Sequence, residues 1–264
     1  MFKKIIKGII GFIQNKIDNP IIDNNIAFKI LGKTKFGNEI KLYIFGNGDE
    51  KILYFGGMHG NEIGTVKLMN KWINFLSKNE GLIPKSKQIF IINCLNVDGY
   101  NLAVKNPDYF GGGSIGKPNS NNIDLNRNFP TSNWQSKAKM FILGKYIAIS
   151  CGKYGGSEIE TKTILNIAKS ENIKTIYEFH NCRGNVMANF RPASDKKALE
   201  YVKKSGFKLF SKSDWDKLDN LHKTGSICLW GYENDIDIIE IENITRYSSE
   251  RRKNKQALIN SLYL

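Results

Sequence analysis

The chain has 264 residues, 41% of them hydrophobic and 24% charged, with a formal net charge of +14. These proportions suit a globular chain with one substantial core and exclude collagen-like or low-complexity classes. The charge comes mostly from lysines spread along the chain without aromatic interleaving, so it reads as a solvated cationic surface and predicts no nucleic-acid partner.

No repeat of solenoid period is present, and one domain over 1–264 is expected. It opens with "MFKKIIKGIIGFIQNKI", where Phe2, Ile5, Ile6, Ile9, Ile13 and Ile17 fit one helical face. Lys7 interrupts the apolar run, and no small-residue cleavage site comes after it. The stretch is too short for a transmembrane segment and lacks the form of a signal peptide. We read residues 1–24 as an extension carrying a short amphipathic helix docked on the domain, weakened by Gly8 and Gly11. Cys94, Cys151, Cys182 and Cys228 form no CxxC pair, which favours a reduced compartment. A cytoplasmic location is therefore expected, with export left open.

Strand-like runs come next at 26–31, 39–45 and 51–55. The third leads into "FGGMHGNEIG", which places His59 and Glu62 three apart. From Glu62 a helical pattern runs to 77, with Glu62, Val66, Met69, Ile73 and Leu76 on one face. A carboxylate at the inward end of a buried stripe needs a partner, which a cation shared with His59 would supply. A turn histidine beside a glutamate favoured by the helix dipole explains the same residues.

Another strand is expected at 88–94. Between Asp98 and Asn128 the chain is rich in Gly, Asn and Pro, reads as a long loop, and contains no GxGxxG or GKS/T cradle. A helix is predicted over 158–170, opened by Ser157 and Glu160 as an S-x-x-E capping box. The strand at 173–179 ends at His180; a further strand at 185–190 and a helix at 194–205 come next. His222 lies in a polar loop and is less well placed than His180. A helix at 225–233, a strand at 236–241 and a helix at 249–262 close the chain. Runs such as "KILYF" and "IDIIEI" are apolar almost throughout, as central strands covered on both faces should be. The alternation predicts an α/β fold, a three-layer α/β/α sandwich around a mixed, largely parallel sheet.

Two ligands close in sequence and one distant, with a position left for water, is the plan of a catalytic zinc site. The segments "HGNE", "NVDGY", "DLNRNFP", "SEIET", "FHNCRG", "TGSICLW" and "IIEIE" occur in the order of the zinc carboxypeptidases of the carboxypeptidase A type, which the chain resembles from about 31 to Glu242. The resemblance implies one Zn2+ per chain, held by His59, Glu62 and His180. It implies that Asn126 and Arg127 bind the free carboxylate of a peptide, a task suited to a planar guanidinium fork. Glu240 and Glu242 share a strand face, so periodicity does not choose between them. Aligning "IIEIE" on the family pattern makes Glu242 the catalytic base, with a charged Glu240 as a departure two residues before it.

Two further departures appear. An arginine of the family's oxyanion site is replaced near "NVDGYNLAV" by a lysine, Lys105, expected to take that catalytic role. Lys117, Arg183 and Arg191 are the other cations considered for this region. The substrate-capping tyrosine has no match, Leu221 and His222 standing in its neighbourhood. The resemblance implies a metallocarboxypeptidase that hydrolyses the C-terminal amide bond of a peptide, and the breadth of the family includes cell-wall peptides among the candidates. The alternatives are an N-acyl-amino-acid deacylase of the succinylglutamate desuccinylase and aspartoacylase type, and a non-catalytic basic binding module.

Overall fold

Strands apolar on both faces call for helices above and below them, and that is the arrangement adopted. The computed structural model describes residues 20–106, 115–142, 145–217 and 223–264. The expected helix within 1–24 lies mostly outside these residues, as do Leu221 and His222.

The strands of the main sheet are β1 (Lys29–Lys33), β2 (Glu39–Gly46), β3 (Glu50–Phe55), β4 (Lys87–Ile92), β7 (Thr175–Asn181), β8 (Asn185–Ala188), β9 (Lys208–Leu209) and β10 (Asp237–Asn243). Their order is β1-β2-β4-β3-β7-β10-β8-β9. The central four, β4, β3, β7 and β10, run parallel, while β2 and β8 flank them antiparallel. The sheet is mixed with a parallel centre, as expected. Every residue of β7 and β10 is buried.

Side chains alternate between two cores. On one face Tyr54 and Tyr177 meet α1 (Ile63–Leu76), α4 (Pro192–Ser205) and α7 (Arg251–Ser261) through Trp72, Ile73, Tyr201 and Leu258. On the other, Leu53, Phe55 and Ile176 meet α3 (Ile159–Ser170) and α6 (Ile227–Glu233) through Ile164, Ile167 and Trp230. Burying each such large side chain stabilises the fold by about 1.5–3 kcal/mol. The result is the three-layer α/β/α sandwich.

Three local expectations need correction. The stretch read as loop from Asp98 onward opens inside a helix, α2 (Val97–Lys105). Its exposed Leu102 and Val104 give no amphipathic pattern. Tertiary contacts hold it instead: Asn96 caps Gly99 N, and the Asp98 carboxylate accepts from Thr34 and Asn38. Strands β5 (Lys137–Ile142) and β6 (Lys145–Ser150) form a separate antiparallel hairpin where no strand was expected. The capping box at 157–160 is absent, because Ser157 turns its hydroxyl to Glu158 and accepts from Asn128. A further short helix, α5 (Lys212–Asp216), begins at a capping box of Ser211 and Asp214.

Candidate metal centre and hydrolytic site

The carboxyl ends of parallel strands are where open α/β sheets present loops and ligands. Here the turn after β3 carries His59, β7 carries His180, and β10 carries Glu242 opposite His180 in register. The turn is tight for a reason. A side chain at Gly60 would meet the backbone of Gly99 and Tyr100 at about 2 Å, so only glycine lets the His59 turn lie against α2. Thr65 fastens its other side, accepting from Gly57 N and donating to the Glu62 carbonyl.

The three residues expected as ligands converge. Glu62, at the start of α1, reaches His59 Nδ1 with one carboxylate oxygen and His180 Nδ1 with the other, both at 2.9 Å. The two rings lie 4.8 Å apart, centroid to centroid. All three side chains are buried, and their donor atoms fall within 4.8 Å of one another. Burial alone would push the Glu62 carboxyl up, but His59 and His180 outweigh it and hold it well below the usual range. Burial likewise works against a charged His180, and Glu178 and Glu62 reverse that, raising its pKa.

Each imidazole has a carboxylate behind it. His59 Nε2 lies 3.2 Å from Asp124 Oδ1, and His180 Nε2 lies 3.1 Å from Glu178 Oε1. A metal bound by the two Nδ1 atoms would leave each Nε2 proton directed at its outer carboxylate. Two imidazoles that can release their Nδ1 protons and a carboxylate, each histidine oriented by an outer carboxylate, is a donor set that fits zinc. His222 lies outside the described residues, so its position adds nothing to this set.

The site opens into a cavity of about 400 Å³, which Asn126, Arg127 and Glu242 also line. Asn126 and Arg127 sit on a single 3-10 turn, Leu125–Arg127, capped by Asp124. Asn126 Oδ1 accepts from Ile227 N, pinning this turn to the start of α6. Arg127 Nε is buried and finds no acceptor among the described residues, an open donor beside the cavity. Glu242 stands 3.7 Å from Arg183, and its second oxygen, Oε2, is buried without a partner among the described residues. Burial pushes its carboxyl up to about 7, against the lowering by His180. Glu240 lines the same cavity one strand repeat back, and burial pushes it up to about 6.

Lys105 is not brought to the site. It ends α2 as an exposed residue and does not line the cavity. Two lysines do line it, Lys117 and Lys139, and Lys117 lies against the histidine, with Nζ 2.9 Å from His59 Nε2 and 3.6 Å from Asp124. Its separation from "NVDGY" along the chain hides this, since the turn at 115–116 folds back to lay Gly116 against Asn61 N and Gly99. Arg191 is committed elsewhere, to Asp235 and Asp237. Asp124, Glu178 and Cys228 went unassigned in the sequence. Asp124 had one signal, its place just before Asn126 and Arg127; Glu178 and Cys228 had none.

The comparisons with known proteins agree with this geometry. A family model described as zinc carboxypeptidase matches residues 23–256. Carboxypeptidase D of Anas platyrhynchos is 40% identical over 94 residues, a segment spanning 33% of this chain and 7% of the relative. Murein peptide amidase A of Escherichia coli is 24% identical over 137 residues, half of this chain and 49% of that one. The crystal structure of a murein-tripeptide amidase from Escherichia coli O157 superposes with a TM-score of 0.70 at 17% identity, covering 94% of this chain and 96% of the other. No helix among the described residues is long and apolar enough to cross a membrane. With the family model spanning most of the sheet and all three converging donors, this chain belongs to the zinc carboxypeptidase family.

Proposed function

We propose that the protein is a zinc-dependent carboxypeptidase that removes a residue bearing a free carboxylate from the end of a peptide. The observation that carries this reading is the convergence of His59, Glu62 and His180 on one wall of a cavity that Glu242 and Arg127 also line. Zinc held by the three donors would supply Lewis acidity, lowering the pKa of an attacking water and polarising the scissile carbonyl.

The chain's own residues do the rest. Glu242, with one oxygen unpartnered among the described residues, takes the proton of the attacking water and returns it to the leaving amine. The push of its carboxyl toward neutrality by burial suits a group that must both accept and release a proton. Arg127 offers its guanidinium to the terminal carboxylate, supported by the Asn126 turn. Asp124 and Glu178 fix the two imidazole tautomers. Lys117, beside His59 Nε2 and Asp124, adds positive charge behind the imidazole, on the side away from Glu62.

The test is mass-spectrometric product analysis with zinc-loaded and chelated protein. The panel contains free-acid peptides, their C-terminal amides, a murein peptide and N-acyl amino acids. The murein peptide is included because of the relative named murein peptide amidase A. The expected result is zinc-dependent loss of one residue from a free-acid peptide, with the amide cleaved at least tenfold more slowly because Arg127 loses its anion. Equal cleavage of acid and amide overturns the exopeptidase reading. Turnover confined to N-acyl amino acids would make the protein a deacylase.

A further inference from the structure

We propose that the face formed by α1 and α7, together with the N-terminal segment that leads onto it, binds an anionic lipid surface. The two helices enclose a groove of about 310 Å³ that shares no lining residue with the catalytic cavity. Its apolar lining is Leu68, Trp72, Phe75 and Leu258. Its charges are all positive, from Lys71, Arg251 and Lys255. Trp72 stacks on Phe75 at 5.5 Å, and the Lys255 ammonium stands 5.6 Å from the Phe75 ring. Trp72 Nε1 is buried and has no acceptor among the described residues, so the groove wall also holds an open donor.

The cations stand where helix stability alone would not put them. α7 opens on Arg251, Arg252 and Lys253, with no acidic residue in its first turn. Positive charge at the N-terminal end of a helix opposes the macrodipole, so these residues weaken the helix that carries them. Arg251, Arg252 and Lys255 are exposed. A local rule broken at the surface marks a place held for function.

The N-terminal segment reaches the same face. Asn70 and Asn74 of α1 donate to the carbonyls of Pro20 and Ile21, and Asn74 Oδ1 accepts from Asp23 N. Asn74 also lines the groove, so the chain enters beside it, where Ile21 is 83% exposed. Residues 1–19 lie outside the described ones; their sequence carries apolar residues at helical spacing, with Lys3, Lys4 and Lys7 off that face. Aliphatic residues opposed by lysines are the composition of segments that lie in a lipid interface. Docking that segment in the groove would set its lysines near Lys71, Arg251 and Lys255, like charge against like. A layer of anionic headgroups satisfies both sets of cations at once and accepts the apolar residues beneath it. A basic patch and an apolar segment are together the two signals that stable interfacial anchoring takes.

The test is co-sedimentation of the full, zinc-loaded chain with vesicles of phosphatidylcholine, with and without phosphatidylglycerol. Binding should require phosphatidylglycerol and weaken as salt rises. Arg251→Glu with Lys255→Glu should weaken it about tenfold or more, since each basic residue at such a surface counts for several-fold in affinity. Lys169→Glu with Lys174→Glu makes the same change in net charge at exposed residues in and just after α3, on the other side of the sheet. That pair should stay within about threefold of the parent. Ile9→Lys adds charge but interrupts the apolar face, and should weaken binding too. Equal losses in the two double variants would overturn the proposal, as would tighter binding of Ile9→Lys, since bulk charge alone would then attract the chain. Phosphatidylcholine bound as tightly as the anionic vesicles would also overturn it. An RNA oligonucleotide released by Arg251→Glu with Lys255→Glu, with vesicles left unbound, would assign the face to nucleic acid instead.

Discussion

The outer carboxylate of Asp124 provides the sharpest check on the site's construction. Asp124 is 5% exposed and accepts from His59 Nε2 at 3.2 Å and from Asn126 N at 3.0 Å through the same oxygen. Its other oxygen lies 3.6 Å from Lys117. Burial pushes the carboxyl up, but Lys117, His59 and Arg127 more than reverse this and keep it ionised. In Asp124→Asn the amide oxygen can still accept both hydrogen bonds, so the fold should hold. The negative charge is lost, and an amide NH2 group faces the Lys117 ammonium. Removing such an outer partner typically costs 10–100-fold in metal affinity, or about 1.4–2.7 kcal/mol. We expect Asp124→Asn near the lower figure. Asp124→Ala should approach the upper one, since His59 loses its anchor and Asn126 N its acceptor. Competition against a chromophoric zinc chelator at fixed pH measures both variants, with circular dichroism confirming that they are folded. A folded Asp124→Asn protein whose zinc affinity is within twofold of the parent would refute the argument that Asp124 sets the His59 tautomer for metal binding.

Three more outcomes are expected. Glu242→Gln should keep its zinc by elemental analysis and lose at least a hundredfold in kcat, since an amide cannot shuttle a proton; retained turnover would remove Glu242 from the chemistry. Gly225→Ala should lower stability by roughly 1–2 kcal/mol or more from the left-handed backbone alone, measured by urea unfolding. Gly225 has φ +60°, and a side chain there would stand 2.1 Å from the Arg127 carbonyl, so KM for free-acid peptides should rise too. Asp98 is raised by burial but lowered further by hydrogen bonds from Thr34, Asn38 and Phe36 N, leaving its folded pKa below the unfolded value. Its stabilising contribution is therefore present above about pH 3.9 and lost as pH falls through the folded value. Asp98→Asn should flatten the fall in Tm over that acid range, and an unchanged acid slope would count against it.

The sequence carried much of the architecture because buried strands and amphipathic helices are written in local periodicity. Runs such as "IDIIEI" read as central strands, and β10 is buried at every position. The apolar stripe of α1 was equally legible, down to the inward position of Glu62 at its start. Where local pattern and tertiary contact disagree, the contact wins. Residues 97–105 carry glycine and exposed apolar residues, yet form α2 because Asn96 caps them and β1–β2 side chains grip Asp98. Ser157 and Glu160 had the spacing of a capping box, but Asn128, thirty residues before Glu158 in the chain, took the Ser157 hydroxyl.

The candidate site divides along the same line. By itself the sequence determined which residues were chemically able to hold a metal, since histidines are scarce and the order of motifs is specific. It also placed His59, Glu62 and His180 at element ends, where parallel strands expose them. Only the tertiary structure decided which cation and which acids surround them. Lys105 and Lys117 are both lysines of one stretch, and no local rule separates them. The fold-back at Gly116 puts Lys117 on His59 and leaves Lys105 in solvent. Likewise, strand alternation puts Glu240 and Glu242 on one face, but only the register of β10 against β7 seats Glu240 beside Glu178 and Glu242 opposite His180. Periodicity is a property of neighbours along the chain, whereas charge pairing in a buried site depends on distances of a few ångströms between residues far apart in it.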